Sequence, residues 1–322
     1  MIRLAIVSPC YNEEEVLPQS AQRLLALLDD LAAKGKITPD SYILFVNDGS
    51  RDATWAIIRR LHDGNPRIHG LSLARNSGHQ NAILAGMLDA ARTADAVVTV
   101  DADLQDDITA IEKMVDDHAR GIEVVYGVKV SRKADPVLKR LSATAFYRFQ
   151  RKMGVKALFN HADFRLMSRS VIERLARYGE RNIYLRGIIP LLSSATSTVD
   201  DVISERTAGT SKYTLSKMLS LAIDGITSFS VKPIYSIIYA GGIFLVISLL
   251  IGIYVIVSLL SGNAEHGWAS MMLSIWFVGG VVMLSIGVVG IYIGRIYIEV
   301  KHRPRYHIGE RTDGDHGSED DV

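Results

Sequence analysis

Two aspartates with one residue between them, Asp101 and Asp103, are the side chains of this sequence best suited to chemistry. They follow the apolar run Ala96–Val100, which predicts a buried strand ending in a polar loop. Alternation along an extended chain points both carboxylates the same way, and they repel unless a cation joins them. Mg²⁺ and Mn²⁺ prefer such oxygen ligands and are often shared with substrate phosphates. A solvated acidic turn is the alternative, because Asp106 and Asp107 follow and can cap the next helix.

A further carboxylate, Asp48, lies in the polar segment Asn47–Asp52. Gly49 permits a tight turn there, and Asp52 can cap the following helix, so local structure explains both residues. It explains Asp48 less well, and that carboxylate can accept hydrogen bonds from a base or a ribose. Neither a Gly-x-Gly-x-x-Gly after a strand nor a Gly-x-x-x-x-Gly-Lys-Ser/Thr occurs. This argues against dinucleotide oxidoreductases and P-loop hydrolases, and leaves a nucleotide held through a divalent metal.

The elements that must position these carboxylates alternate along the first 130 residues, in the pattern of a mostly parallel sheet covered by helices. The predicted strands are Leu4–Val7, Ile43–Val46, Ile68–Leu73, Ala96–Val100 and Val124–Val128. The predicted helices are Val16–Ala33, Ala53–His62, Asn81–Ala91 and Ala110–Ala119. Polar segments follow four strands, at Ser8–Glu13, Asn47–Ser50, Arg75–Asn76 and Asp101–Asp103. Ligands of such sheets collect at the carboxyl ends of the strands, so these four segments are expected to converge on one site.

Two long uncharged stretches near the C-terminus, Ile234–Leu260 and Trp268–Gly294, predict a hairpin of two transmembrane helices. The connector between them has no Lys or Arg, whereas Lys232 precedes the pair and basic residues from Arg295 onward follow it. By the positive-inside rule both ends of the hairpin, and the soluble domain, are expected in the cytoplasm. Two core helices of a soluble domain are the alternative.

The expected domains are a catalytic domain over 1–213, a juxtamembrane amphipathic helix over 214–231, the two membrane helices within 232–300 and a cytoplasmic tail over 301–322. A basic amphipathic helix is also predicted over Val137–Met153, either in the membrane interface or on an ordinary surface. The segment Gly309–Val322 is rich in Gly, Asp and Glu and is predicted to be disordered.

Composition narrows the possible partners and the compartment. The 322 residues carry a formal net charge of +1, which gives no case for nucleic-acid binding. The single cysteine, Cys10, excludes an intramolecular disulfide framework and is consistent with a reducing compartment. Homo-oligomer formation is left open.

The ordered set of motifs resembles the family 2 glycosyltransferases with the GT-A fold. The motifs are Pro9-x-Tyr11-Asn12-Glu13-Glu14, Asn47-Asp48-Gly49-Ser50-x-Asp52-x-Thr54, Arg75-Asn76-x-Gly78-x-Gln80-x-Ala82 and Asp101-Ala102-Asp103-Leu104-Gln105-Asp106. Asp163-Phe164-Arg165, Arg186-Gly187 and Glu205-Arg206-x-x-Gly209-x-Ser211-Lys212-Tyr213, followed by two spans, resemble its polyprenyl-phosphate glycosyltransferases. Within that group, the motifs resemble those of the bactoprenol glucosyltransferases, which are relatives of dolichyl-phosphate mannose synthases.

The resemblance implies a role for each matching residue. The nucleotide is expected to contact Pro9, Tyr11, Glu13, Asp48, Asp101 and Gln105. The divalent metal, Mg²⁺ or Mn²⁺, is expected on Asp101, Asp103 and Gln105. The lipid phosphate is expected near Lys129, Arg132, Lys133, Arg206 and Ser211. Catalytic contributions are expected from Asp103, Asp163, Arg206 and Lys212, although for Asp163 a structural salt bridge with Arg165 competes.

The implied reaction is inverting transfer of a hexose, glucose from UDP-glucose being preferred, to undecaprenyl or another polyprenyl phosphate at the cytoplasmic membrane face. Transfer of mannose from GDP-mannose or of another UDP-sugar stays open. The sequence departs from the family pattern at Asn47, Ile108 and Thr210, which leaves the sugar and the base undecided. A processive polysaccharide synthase, a non-catalytic membrane scaffold and a tethered enzyme with a soluble substrate fit less well. Two spans are few for a polymer path, and no Gln-x-x-Arg-Trp sequence occurs.

Overall fold

The computed structural model describes residues 1–129, 161–181, 183–201 and 267–314, with isolated positions between 235 and 261. Nine elements follow the predicted order: β1 (Leu4–Cys10), α1 (Leu17–Ala33), β2 (Tyr42–Asn47), α2 (Thr54–Gly64), β3 (Ile68–Leu73), α3 (His79–Ala90), β4 (Ala96–Thr99), α4 (Ala110–Ala119) and β5 (Val124–Lys129). Six further elements are β6 (His161–Ser168), α5 (Arg169–Ala176), α6 (Leu185–Leu192), β7 (Thr196–Asp201), α7 (Trp268–Val300) and β8 (Ile308–Arg311). The predicted α/β class is confirmed.

Eight strands within the described residues form one sheet, in the order β7-β5-β6-β4-β1-β2-β3-β8. Strands β3, β2, β1 and β4 are parallel neighbours, while β6 runs antiparallel between β4 and β5, and β8 runs antiparallel along β3. Every residue of β1 and β2 is buried, which is what a strand covered by helices on both faces requires. Four strands thus point their carboxyl ends at the same edge.

Helix α3 lies directly on β1 and β2. A Cβ atom added at Gly86 would stand 2.5 Å from the Val7 side chain and 2.6 Å from that of Val46, so only glycine permits this close packing. Helix α1 buries Leu24 and Leu28 completely in the core. The close seat of α3 brings its N-terminus to the carboxyl ends of β1 and β2.

The C-terminal segment forms the last strand of the sheet, so the predicted disorder is wrong for Gly309–Arg311. Strand β8 pairs with the edge of β3, where Leu71 lies opposite Arg311, Ser72 opposite Glu310 and Leu73 opposite Ile308. Side chains fasten it further, since Trp55 Nε1 donates to Glu310 Oε2 at 2.9 Å. Polar composition favours disorder in isolation, but an open strand edge supplies backbone partners that composition does not reveal.

Helix α7 belongs to a second compact unit, separate from the unit that contains the sheet. Among the described residues one helix is long and apolar enough to cross a bilayer, Phe277–Val300, with mean hydropathy 2.2 and none of it buried. Described positions of the first predicted span, such as Tyr235 and Leu250, are helical and exposed. The rest of that span and both amphipathic segments lie outside the described residues, so the hairpin and the domain boundaries stay predictions.

Candidate active site

A pocket of about 320 Å³ opens where β1, β2 and β4 end. Its walls include six of the residues predicted from the sequence: Pro9, Tyr11, Glu13, Asp48, Asp101 and Asp103. We call this the acidic pocket. Asn76, Gly78 and His79 also line it, at the start of α3. The parallel register of the strands explains the convergence, because segments far apart in the sequence leave the sheet at one edge.

The loops after β1 and β2 hold each other in place. Asn12 has a positive φ of 56°, a conformation that asparagine tolerates, and its Oδ1 accepts from the Arg51 N–H at 2.9 Å. The Glu13 N–H donates to Thr54 Oγ1 at 2.9 Å. These cross-loop bonds fix the backbone that presents Tyr11 and Glu13 to the acidic pocket.

Asp48 is buried and accepts hydrogen bonds from the backbone N–H groups of Ser77, at 2.6 Å, and Gly78, at 3.0 Å. Burial raises the pKa of Asp48, while the two N–H donors act in the opposite direction. The carboxylate therefore ties the loop after β2 to the start of α3. Gly49 lets the two loops touch: an added Cβ would lie 2.5 Å from the Asn76 nitrogen, and φ is +64°.

Asn47, one of the departures from the family pattern, has both ends of its amide engaged. Its Nδ2 donates to Ser72 Oγ at 2.8 Å, and its Oδ1 accepts from the Ser50 N–H at 3.1 Å. The side chain is buried between β2 and β3. Its evident work is structural, joining the two strand ends that carry the Asp48 turn.

Asp101 and Asp103 both face the acidic pocket, as alternation along the chain predicted. Burial raises the pKa of Asp101, and repulsion from Asp163 and Asp103 adds to the rise against the attraction of His79. Two carboxylates that face one pocket form a donor set that suits a hard divalent cation. Gln105 does not line the pocket, and its Nε2 donates to Asp103 Oδ2. The side chains present therefore fit the metal that the resemblance implies.

Asp163 is the centre of a buried charge cluster. Arg165, fully buried, reaches its Oδ1 at 2.5 Å, and Arg186 contacts both oxygens at 3.2 and 2.9 Å. His79 Nε2 lies 3.5 Å from Asp163 Oδ2 and 3.7 Å from Asp101 Oδ1. The competing salt bridge with Arg165 is thus present, and through His79 the same carboxylate also borders the acidic pocket.

Charges within this cluster set its protonation. Burial alone would raise the pKa of Asp163, but its hydrogen bond with His79 and the charges of Arg165 and Arg186 hold it well below the ordinary value. Burial likewise opposes charge on His79, yet Asp163 and Asp101 raise the pKa of this imidazole. The two carboxylates therefore shift His79 towards its protonated form, compared with a free imidazole.

Lys129, predicted to meet the lipid phosphate, contacts the buried Asp106 with its Nζ 3.3 Å from Oδ1. Burial raises the pKa of Asp106 to about 7, with the Lys129 charge acting against the rise and Asp101 and Asp201 adding to it. Lys129 thus forms an ion pair with the loop that follows Asp101 and Asp103. The other predicted cations and the serine, Arg132, Lys133, Arg206, Ser211 and Lys212, lie outside the described residues.

A second pocket, of about 240 Å³, adjoins the acidic one and shares Asn76 with it. Its lining contains three arginines, Arg75, Arg181 and Arg305, and no carboxylate. We call it the basic pocket. Arg181 donates to the carbonyls of Arg303 and Pro304, so the chain just after α7 forms part of its wall. Three guanidinium groups around one cavity suit an anion such as phosphate.

His79 and the arginines of the basic pocket are absent from the sequence-based list of site residues. His79 falls within the motif Arg75-Asn76-x-Gly78-x-Gln80, at a position that the motif leaves unspecified. Its position could have identified it as a site residue, because it begins a helix that follows the end of a strand. Arg181 and Arg305 carry no such signal, because they reach this edge only through the tertiary fold.

Comparison with known proteins gives matches along most of the chain. Residues 5–176 match the family model described as Glycosyl transferase family 2. An uncharacterized glycosyltransferase of Bacillus subtilis, YkoT, is 47% identical over 305 residues, 95% of this chain and 90% of that protein. The bactoprenol glucosyl transferase of Shigella phage SfX is 40% identical over 312 residues, 96% of this chain and 100% of that protein.

Among solved structures, mannosyl-3-phosphoglycerate synthase from Rubrobacter xylanophilus is similar with a TM-score of 0.44 and 15% identity. The likeness covers 69% of this chain and 71% of that one.

Proposed function

The chain belongs to glycosyl transferase family 2, and from this premise we propose that it transfers glucose from UDP-glucose to a polyprenyl phosphate at a membrane surface. The observation that carries the proposal is the likeness to bactoprenol glucosyl transferase, which extends over nearly the whole of both chains and so includes the apolar C-terminal part. The acidic pocket supports a nucleotide-sugar donor, and the apolar helix Phe277–Val300 supports work at a bilayer.

The nucleotide is proposed to lie against Pro9, Tyr11, Glu13 and Asp48. Tyr11 is 43% exposed and lines the pocket, which supports a contact between its ring and the base. Both carboxylate oxygens of Asp48 accept hydrogen bonds from backbone N–H groups, which supports a role in shaping the pocket. A carboxylate oxygen can accept more than one bond, so Asp48 can also accept a hydrogen bond from the nucleoside. The donor diphosphate then reaches the aspartate loop.

Asp101 and Asp103 are proposed to hold Mg²⁺ or Mn²⁺, with Gln105 orienting Asp103. When bound, the cation neutralises charge on the departing diphosphate, a contribution of several kcal/mol in such sites. His79 lies 3.7 Å from Asp101, where its imidazolium adds positive charge at the same end of the pocket. Asp163 is proposed as a positioning residue that orients His79 and favours its protonated form.

The acceptor is proposed to bring its own nucleophile. A phosphate monoester has a second pKa near 6, so at neutral pH its oxygen is already largely anionic and needs no strong general base. That oxygen forms the new bond to the anomeric carbon, the bond from this carbon to the diphosphate oxygen breaks, and the electron pair leaves with UDP. Attack opposite the leaving group inverts the anomeric configuration.

Cationic side chains are proposed to hold the acceptor phosphate. The predicted set is Lys129, Arg132, Lys133, Arg206 and Ser211, with Lys212 assisting at the diphosphate. The basic pocket adds Arg75, Arg181 and Arg305, beside the acidic pocket, and Arg305 follows the end of α7 closely in sequence. This closeness supports the addition, because an isoprenoid keeps its chain in lipid and its phosphate at the interface.

A two-helix hairpin in the membrane, with the catalytic unit on the cytoplasmic side, completes the proposal. Basic residues before the first span and after the second support this orientation. The enzyme is thereby held where cytosolic UDP-glucose and a membrane lipid can meet.

The decisive experiment is incubation of purified protein with radiolabelled UDP-glucose, undecaprenyl phosphate and Mg²⁺ or Mn²⁺, followed by organic extraction. We expect label in the organic phase, in a mild-acid-labile lipid monophosphate sugar. If label from UDP-glucose stays in the aqueous phase but label from GDP-mannose or another UDP-sugar moves to the lipid, that sugar nucleotide is the donor instead of UDP-glucose. No transfer to lipid from any donor in the panel would overturn the function.

A further inference from the structure

Two imidazoles and a carboxylate meet far from the acidic pocket, at the opposite end of β3. His62 is in the last turn of α2, His69 is the second residue of β3, and Asp313 follows β8. One possible ligand atom from each, a ring nitrogen or a carboxylate oxygen, lies within 4.8 Å of the other two. The transfer chemistry proposed above uses none of these side chains.

The His62 ring is held in the orientation that a metal ligand needs. Its Nδ1 lies 2.6 Å from the carbonyl oxygen of Ile68, which can only accept, so Nδ1 carries the proton. The lone pair of the neutral ring is therefore on Nε2, 3.6 Å from Asp313 Oδ1. A backbone carbonyl bound to the second imidazole nitrogen is the usual support for a metal-bound histidine.

His69 is fixed from the other side. Tyr42 meets its ring edge to face, with centroids 4.9 Å apart and an interplanar angle of 78°. Its Nδ1 lies 3.1 and 3.0 Å from the two oxygens of Asp313. Tetrahedral ligands at about 2.0–2.1 Å from zinc stand about 3.3 Å apart, close to the distances found between Asp313 and each histidine.

Asp313 is delivered to the two histidines by the return of the chain along β3. Gly70 N donates to Thr312 Oγ1 at 2.9 Å, and Thr312 N donates to the Gly70 carbonyl at 3.0 Å. Gly70 is required for this approach, since an added Cβ would lie 2.8 Å from Thr312 Cγ2. The position of the carboxylate thus depends on the docking of β8.

We propose that His62, His69 and Asp313 bind a divalent transition-metal ion, with zinc the best match, and that the ion fastens the C-terminal segment to the edge of the sheet. Imidazole nitrogen with one carboxylate selects zinc, copper or nickel over magnesium, so this site is chemically distinct from the aspartate loop. The side chain of Asp313 is 54% exposed, which leaves room for water as a fourth ligand. The proposal does not rest on the transfer reaction.

The test is a zinc titration followed by calorimetry, on full-length protein in detergent with no polyhistidine tag, after chelator treatment and with excess Mg²⁺ present. We expect one equivalent of tightly bound Zn²⁺ in the wild type and at least tenfold weaker binding in His69→Ala and in Asp313→Asn. His118→Ala is the matched control, because His118 Nδ1 contacts the Ile122 carbonyl at 2.9 Å in the same way, outside the cluster. Equal affinity in the wild type and the two cluster variants would overturn the proposal.

Hydrogen exchange of the wild type alone provides the second measurement, which is needed if a variant fails to fold. Zinc is expected to slow exchange of the backbone amides of residues 308–313 and to leave those of α4 unchanged. Exchange rates of 308–313 that do not respond to zinc would overturn the proposed fastening.

Discussion

His79 Nε2 lies 3.5 Å from Asp163 Oδ2, which places an imidazole of raised pKa between a buried ion cluster and the acidic pocket. The contact joins the start of α3 to β6, two elements that share no local sequence pattern. Through this contact Asp163, whose oxygens are already paired with two arginines, influences the charge and orientation of the ring that lies beside Asp101.

Replacing His79 tests whether its ring links Asp163 to the acidic pocket. His79→Gln should lower turnover about tenfold to hundredfold, because positive charge beside the aspartate loop is lost. The wild-type rate should fall as pH rises through the raised pKa of His79, and this alkaline limb should be missing in the variant. The charged ring also stabilises the fold below about pH 6.5, a contribution lost as pH rises through the raised pKa. Full pH-rate profiles of both proteins, with His118→Gln as control, provide the measurement; an unchanged alkaline limb in His79→Gln contradicts the role.

Asp103→Asn removes one proposed metal ligand while keeping the size of the side chain. Turnover should drop at least about hundredfold, which corresponds to about 2.7 kcal/mol, since a cation in such a site supplies several. The melting temperature should stay within a few degrees of the wild type, because Asp103 is only partly buried. Asp29→Asn, on an exposed ion pair with Arg67, is the control. Near-normal, metal-dependent transfer by Asp103→Asn would show that this residue is not a metal ligand. Full wild-type activity after exhaustive chelation would overturn the metal site as a whole.

Asp163→Asn should cost stability as well as activity. It leaves Arg165 buried without its carboxylate, and uncompensated buried charges of this kind typically cost about 3–5 kcal/mol. Thermal and denaturant unfolding in detergent measure the loss. Arg186→Gln is the matched variant, since the Arg186 side chain is 40% exposed and its removal leaves Asp163 paired with Arg165. Equal stability of Asp163→Asn and the wild type would show that the cluster is not a structural centre.

Alanine substitutions at two glycines with positive φ distinguish the cost of backbone strain from the cost of disturbing the contact between loops. Gly35→Ala, with φ +69° and no atom within 4 Å of the new Cβ, should cost about 1–2 kcal/mol from the left-handed conformation alone. Gly49→Ala has a similar φ, but its Cβ would meet the Asn76 backbone at 2.5 Å, so its cost should be larger and nucleotide affinity should fall. Unfolding free energies and UDP binding by calorimetry compare the pair. Equal losses in both measurements would mean that the approach of the two loops is unimportant.

Arg75→Ala tests the basic pocket as a seat for the acceptor phosphate. The KM for undecaprenyl phosphate should rise about tenfold, as expected for loss of one charge-assisted hydrogen bond, with the KM for UDP-glucose unchanged. Arg120→Ala, whose side chain is 74% exposed, controls for general loss of positive charge. A rise confined to the donor KM would place Arg75 with the nucleotide instead.

Much of the sheet was predictable because its central strands are continuous apolar runs that end in polar segments. Strands β7 and β8 escaped prediction for different physical reasons. Strand β7, Thr196–Asp201, contains one large apolar residue, Val199, so its pairing with β5 decides its conformation. Strand β8 is polar and depends on the open edge of β3.

The acidic pocket was predictable for a related reason: parallel strands bring their carboxyl ends together wherever they lie in the chain. Asp48, Asp101 and Asp103 therefore converge as expected. The links behind them were not predictable, because the contacts of Asp163 with Arg186 and of Asp106 with Lys129 depend on the antiparallel insertion of β6 and on the exact seat of β5. Spacing in the sequence carries no trace of such pairs.

Strand β8 comes after α7 in the chain, so the ribosome releases the last strand of the sheet only when the apolar helix has already emerged. Until that moment β3 presents a bare row of backbone donors and acceptors, the kind of edge that recruits foreign strands. Completion of the sheet therefore follows synthesis of α7. A chain that ends before residue 308 is therefore expected to leave this edge of β3 open to pairing with other chains.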